Sequence, residues 1–489
     1  MSERDPNVFV LTVDSLRWDA YDRLMSEVGE VVPGTTFTRA FATASNTGSS
    51  MPTLAAGVYC DEVADGTPNL DLGETSEDDG LTTLAEALSA AGYDASLWSD
   101  NVIFGEARNY DRGFSDGRTG TPSWKKRAQT VVQGTGSARL FNACRWAYFN
   151  VFDRIESTLS SNSSYYVPAK THHQSVLDAL SGTDGGQAHW IHYMDVHHPF
   201  EPPAEYLAKR DLNAPRRPAE LAELSSSAII QNAGGETTHG DVEDIEQAYL
   251  AACEHLRDEL VSFVETLRDR GHYDPGHDVL VLTADHGEGF DRDLHGMLGH
   301  TPTPAFWDDL VHVPLLVSLP DWEHERVDYQ VSLIDVVPTI LSALSLSVPD
   351  SCQGVAASSP AELHRSHVYF TATGPYRSYH GVRNEHGWKL FADRISESSG
   401  IELMGTDERD DHERVLLTTV DDGEETIRYE RSLDEDGVPT ESTASTRWRG
   451  LHERLSDQRG GVATRRFDAQ LSAETVEQLE QLGYVDNVR

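Results

Sequence analysis

Three segments far apart in the chain carry side chains that do chemistry only in company. An apolar run ends in Asp14. A polar-to-apolar stretch, Asn46 to Gly57, opens with Asn46-Thr47-Gly48-Ser49-Ser50. A second apolar run leads into Ala284-Asp285-His286-Gly287-Glu288. Carboxylates directed into one crevice repel unless a cation lies between them, and a neutral imidazole at His286 can join the same ion. A threonine hydroxyl becomes nucleophilic when a metal lowers its pKa. Together the segments imply a divalent cation that activates Thr47 to attack a sulfate or phosphate ester.

Each fragment alone has a plainer reading. An aspartate at a strand end is more often a helix cap, and Thr47 or Ser49 reads as an N-cap. The Asp-His-Gly-Glu string favours the metal, because Gly287 and Gly289 permit a tight turn around a ligand. Thr47 and Gly48 stand where a turn feeds a helix, whose N–H groups and positive dipole face an anion.

These residues need a frame. Asn7 to Val13 and Asp278 to Thr283 are β-rich runs suited to strands buried on both faces. Thr82 to Ala91 has helical spacing, Gly92 ends it, and Tyr93 to Trp98 reads as a strand. A short helix at Val176 to Leu180, a strand at Trp190 to Met194, a long amphipathic helix at Ile245 to Arg270, a strand at Val313 to Val317 and a helix at Val336 to Leu344 follow. Strands alternating with helices predict an α/β fold with a mostly parallel central sheet flanked by helices. In such a sheet ligands gather at the carboxyl ends of the strands, where Asp14 and Asp285 stand. Residues of about 120–170 break the rhythm and read as an insertion over that side, and about 214–240 reads as a polar loop. From His367 the pattern changes to short strands at Val368 to Thr373, Ser378 to Arg383, Trp388 to Phe391 and Val415 to Thr419, then a helix at Ser472 to Leu482. The expected division is a catalytic domain over 1–365 and a C-terminal α+β subdomain over 366–489, with a small antiparallel sheet.

Composition narrows the setting. The chain has 489 residues and a formal charge of -42, from 81 acidic and 39 basic residues. Such a surface repels nucleic-acid phosphates, so nucleic acid is not the expected partner. Recurrent apolar strands argue against disorder, and the charge suits a folded protein in a high-salt cytoplasm, where screening removes self-repulsion. No signal peptide or membrane span is read from the chain, so a cytoplasmic location is expected. Cys60, Cys144, Cys253 and Cys352 are scattered and read as reduced.

The motifs resemble the sulfatase branch of the alkaline phosphatase superfamily along nearly the full length. Val13-Asp14-Ser15-Leu16-Arg17, the Thr47 to Gly57 segment, Leu84-Ala85-Glu86-Ala87-Leu88, His192 to Phe200, Thr283 to Glu288, Leu298-Gly299-His300 and Leu471 to Tyr484 carry the resemblance. It implies an alkaline-phosphatase-like fold, with one divalent cation (Ca²⁺, Mg²⁺ or Mn²⁺) on Asp14, Asp285 and His286. Thr47 would complete its shell and act as nucleophile. It further implies that His197, in the Asp-x-His-x-Pro pattern, and His300 contact the anion or its leaving group. His189, His192, His198 and His295 read as structural or solvated.

The departures matter as much. Thr47 stands where most sulfatases have a Cys or Ser converted to formylglycine, and Met51 where they have Arg, so formylglycine chemistry at Thr47 is excluded. Ser15 replaces a second aspartate. Ser99-Asp100-Asn101 replaces a Gly-Lys-x-His string, with Asn101 a substitute for one anion contact. Related Thr-nucleophile phosphodiesterases use Asp-x-x-x-His for a second metal, but here that histidine position is Pro199, so a single cation is expected. The expectation is a sulfatase-like hydrolase of a small-molecule or glycan ester. Its rivals are a phosphodiester or phosphonate hydrolase, or a phospho-head-group transferase, and a degenerate anion-binding protein without turnover.

Overall fold

The computed structural model describes residues 4–63, 72, 81–104, 108–119, 165–181, 186–230, 237–292, 298–299, 306–373, 377–395, 413–421, 424–432 and 451. The two runs that end in acidic residues lie side by side in it. β1 (Val8–Val13) pairs in parallel with β6 (Val279–Ala284), Val13 opposite Ala284, and every residue of both strands is buried. Around this pair the sheet has eight strands, adding β2 (Thr35–Phe41), β3 (Asp94–Ser99), β4 (Asp116–Thr119), β5 (Gln187–Tyr193), β7 (His312–Ser318) and β8 (Glu325–Ser332). Their order is β4-β3-β5-β1-β6-β7-β2-β8, with β7 antiparallel to both neighbours and the remaining pairs parallel. The expected parallel sheet is therefore present, with one reversed strand.

Helices pack on the sheet through the stripes their sequences provide. The His239–Asp269 helix opens with a capping box between Thr238 and Asp241, and buries Ile245, Tyr249, Leu256, Leu260, Phe263 and Leu267. Such a box satisfies backbone donors at the N-terminus. The helix expected at Val176 to Leu180 is longer, Ala169–Leu180.

One expectation is overturned. Within the stretch read as a loop, Pro218–Ile230 is a helix. Leu221, Ser225, Ala228 and Ile229 are buried, and the Ser225 hydroxyl accepts a hydrogen bond from Phe200 N–H at 3.1 Å. Three consecutive serines disguised a helical face on which Ser225 is a buried, hydrogen-bonded position. Most of the expected insertion, and the expected C-terminal helix, lie outside the described residues.

The small antiparallel sheet is present, with five strands in order β13-β12-β11-β10-β9: β9 (His367–Thr373), β10 (Arg377–Asn384), β11 (Trp388–Ile395), β12 (Glu413–Asp421) and β13 (Glu424–Ser432). Phe370, Val368 and Ala372 pack against Phe41, Phe306, Trp307 and Leu310 in a second apolar cluster. Beside it Lys389 is fully buried, 2.6 Å from Asp308 and 3.0 Å from Glu425. A buried ammonium is tolerated only with such partners. This network ties the sheet to the Phe306–Val311 segment, whose Leu310 carbonyl accepts a hydrogen bond from Gly287 N–H at 2.8 Å. Among the described residues no helix is long and apolar enough to cross a membrane.

Candidate active site

The register that aligns Val13 with Ala284 sets Asp14 and Asp285 next to each other at the carboxyl edge of the sheet. Asp14 N–H donates to the Tyr193 carbonyl at 2.9 Å, which extends the β1–β5 ladder to the carboxylate itself. Ser15 then turns the chain sharply, with φ 64°. Its hydroxyl donates to Asp14 Oδ1 at 3.1 Å and its N–H to Asp285 Oδ1 at 3.3 Å. Tyr249, from the long helix, locks the turn by donating to the Ser15 carbonyl and accepting from Arg17 N–H.

Thr47 arrives on a helix. Asn46 is the N-cap of Thr47–Ala56, its side chain accepting from Ser49 N–H at 3.0 Å, and Gly57 closes the helix at φ 66°. Capping by Asn46 leaves the Thr47 hydroxyl for the site, 3.3 Å from Asp14 Oδ2 and 3.0 Å from His286 Nε2. His286 Nδ1 meets the Gly287 carbonyl at 2.7 Å, so Nδ1 carries the proton and Nε2 turns its lone pair to the cluster. Gly287 has to be glycine, because a Cβ there would lie 2.0 Å from the Asp309 carbonyl oxygen.

Asp14, Asp285, His286 and Thr47 are wholly buried. Ligand atoms of the first three all lie within 4.8 Å of one another, and His286 Nε2 stands 3.5 Å from Asp14 Oδ1 and 3.6 Å from Asp285 Oδ2. Burial pushes the Asp14 carboxyl up, but the His197, His192 and His286 rings outweigh it and hold Asp14 well below the usual carboxylate range. Burial and the Asp14 charge push Asp285 up to about 7. Two buried carboxylates at this range share their charge unequally unless a cation joins them. The donor set, two carboxylates, one imidazole lone pair and one hydroxyl, fits a hard divalent cation. Asp285 Oδ2 accepts no hydrogen bond among the described residues, which suits a ligand atom.

The other expected residues divide. Asn101 is buried and donates to Asp14 Oδ2 at 3.1 Å, so its amide touches a candidate ligand. Gly48 follows Thr47 in the first turn of the helix. His197 is buried, its ring stacked on His198 at 4.1 Å. His300 lies outside the described residues. Its neighbour Gly299 donates to the Gly289 carbonyl at 2.8 Å, beside Glu288.

Three residues to which the sequence assigns no role stand here with His192, which it reads as structural or solvated. His192 sits 3.3 Å from Asp14 Oδ2 through Nε2 and 2.9 Å from Thr12 Oγ1 through Nδ1. It stands opposite Thr12 in the register, next to last in β5 and so close to the carboxyl edge. Glu288 pairs with His198 at 3.5 Å, both buried. The buried Arg108 brings a guanidinium nitrogen within 3.8 Å of where a Gly48 Cβ would stand, at the start of the Thr47 helix. Tyr166 contacts His197. Neither Arg108 nor Tyr166 lies in a motif, and no local signal singles them out.

An "Uncharacterized sulfatase YidJ" of Escherichia coli (strain K12) is 24% identical over 169 residues, 34% of this chain and 33% of that protein. "Arylsulfatase K" of Xenopus laevis is 27% identical over 131 residues, 26% of this chain and 23% of that protein. The matched stretches thus span a third or less of these relatives. Among solved structures, phosphonate monoester hydrolase of Agrobacterium radiobacter aligns at TM-score 0.58 and 17% identity, covering 93% of this chain and 95% of that one, a likeness of fold. The profile of the family described as Sulfatase matches residues 6–346, which include Asp14, Thr47, Asp285 and His286, and on that match the chain belongs to the sulfatase family.

Proposed function

We propose that this chain hydrolyses an anionic ester, a sulfate ester of a small molecule or glycan, with Thr47 as nucleophile. The observation that carries the reading is the Thr47 hydroxyl, 3.0 Å from His286 Nε2 and 3.3 Å from Asp14 Oδ2 at the start of a buried helix. Asp14, Asp285, His286 and Thr47 would hold one divalent cation. When bound, it supplies charge to lower the pKa of the threonine hydroxyl and to offset that of the ester. The N–H group at Gly48, with Arg108 beside it, receives the non-bridging oxygens. Thr47 Oγ1, its proton lost to solvent, bonds to sulfur while the bond to the leaving oxygen breaks with its electron pair. His197 gives that oxygen a proton. Water then attacks the Thr47 ester, its proton passes to His197, and Thr47 Oγ1 departs as the alkoxide that made the attack.

A second reading is a phosphodiester or phosphonate monoester hydrolase, which Thr47 in place of a formylglycine precursor and Met51 in place of arginine favour. A panel of aryl sulfate, aryl phosphate and bis-aryl phosphate, assayed after chelation and after return of Mn²⁺, Mg²⁺ or Ca²⁺, separates the two. The expected result is cation-dependent turnover of aryl sulfate. Preference for the diester selects the second reading. No turnover, with no stoichiometric cation on metal analysis, leaves an anion-binding protein.

The catalytic unit is placed at 1–365 with 366–489 as its C-terminal partner, and the charge of -42 suits a high-salt cytoplasm. The unfolding midpoint should rise from dilute buffer to molar KCl; a fall would overturn that setting.

A further inference from the structure

The Tyr165–Ala169 segment is fastened to the same sheet edge as the candidate ligands. Asp100, just past β3, accepts from Val167 N–H at 2.9 Å, and Asp195, two residues past β5, accepts from Ala169 N–H at 3.1 Å. Asp100 lies in the Ser99-Asp100-Asn101 string, of which only Asn101 carries an expected role. What the two carboxylates hold in place is Tyr166. Its ring meets His197 edge-on at 5.7 Å, and its hydroxyl lies 2.9 Å from His197 Nδ1 and 2.8 Å from the His198 carbonyl oxygen. His197 Nδ1 also contacts that carbonyl.

Three polar atoms close a triangle, and their protons can be assigned. The carbonyl oxygen only accepts, so the Tyr166 O–H donates to it. An unprotonated Nδ1 would set its lone pair against that oxygen, so Nδ1 carries a proton, which Tyr166 Oη and the carbonyl receive. The proton that varies on this ring is then the one on Nε2.

We propose that Tyr166 is the positioning residue of His197: with the His198 carbonyl it fixes the ring proton on Nδ1, so that Nε2 gives the leaving oxygen its proton and takes one back from water. This rests on the role given to His197 above. In the first step the ester bond breaks, its electron pair stays on the leaving oxygen, and the Nε2 proton neutralises it. In the second, water bonds to sulfur, its proton returns to Nε2, and the Thr47 oxygen leaves.

The test uses full-length wild type, Tyr166→Phe, His197→Ala and the double variant, with aryl esters whose phenols differ in acidity. Removing one hydroxyl leaves the packed ring in place, and melting temperatures check that each variant folds. For the least acidic phenol, kcat of Tyr166→Phe should fall about 10- to 100-fold, with the loss shrinking as the phenol becomes more acidic and KM little moved. The double variant should be no slower than His197→Ala, since the hydroxyl acts only through that ring. A structural role would slow every ester alike and add to the His197→Ala loss, which overturns the proposal. If His197→Ala alone leaves the dependence on the phenol unchanged, the role given to His197 fails and this inference falls with it. If His197→Ala steepens that dependence and Tyr166→Phe does not, only the inference fails.

Discussion

Replacing Thr47 by alanine should abolish turnover, by roughly 10³-fold or more in kcat, while the fold persists. The change removes one hydroxyl and one methyl from a helix whose cap is Asn46, not Thr47, so the N-terminal hydrogen bond that starts the helix survives. It also leaves Asp14, Asp285 and His286 in place, so cation binding should weaken by much less than turnover. Measuring kcat, melting temperature and cation stoichiometry on the same preparation separates the two effects. Thr47→Ser should retain part of the activity, since the hydroxyl remains but loses the β-branched restraint on its rotamer. Full activity in Thr47→Ala would transfer the role to Ser49 or Ser50, or dispense with a covalent step.

How far the chain could be read without its structure depends on what kind of pattern each element leaves. Fully buried strands such as β1 and β6 are unbroken apolar runs, and an acidic residue ending each is conspicuous. Their parallel pairing followed from the alternation of strands with helices, and it brings Asp14 beside Asp285. Strands of mixed composition leave less trace: β2 and β8 mix charged and apolar residues, and β13 is largely polar, Glu-Glu-Thr-Ile-Arg-Tyr-Glu-Arg-Ser. The Pro218–Ile230 helix was hidden by its serines. Within the site, residues inside a motif could be found and residues outside one could not. Thr47 was visible but its place was not: a threonine opening a helix reads as a cap until Asn46 is seen to occupy that position. That His192 reaches Asp14 is not legible in the sequence, because a strand buried on both faces gives no sign of which side chain looks toward the carboxyl edge. Tyr166 depends on two aspartates over sixty and almost thirty positions away, a relation only the folded chain displays.

The charge on Asp285 should link stability, pH and cation binding in one experiment. Without a cation, burial and Asp14 raise its carboxyl from 3.8 to about 7. A raised carboxyl contributes its full stability below the unfolded value and loses it as pH climbs through the folded one, because the unfolded chain releases the proton first. Stability from this group is therefore present below pH about 4 and gone by pH about 7. Asp14 is shifted the opposite way, so its contribution is present at neutral pH and is lost only in acid. A bound cation removes the penalty on Asp285 by stabilising the ionised form. The melting temperature of chelated protein should thus fall between pH 5 and pH 7.5 relative to protein in saturating Mn²⁺, with the gap widening as pH rises. Below pH about 6, cation binding should release close to one proton, detectable as a dependence of the calorimetric heat on buffer ionisation enthalpy. Asp285→Asn deletes the titrating group. That variant, chelated at pH 7.5, should melt above chelated wild type, gain little from Mn²⁺, and lose at least about 100-fold in kcat/KM. A gap between loaded and chelated wild type that stays constant across this range would mean that Asp285 does not carry the proton, and that the two carboxylates do not share a cation.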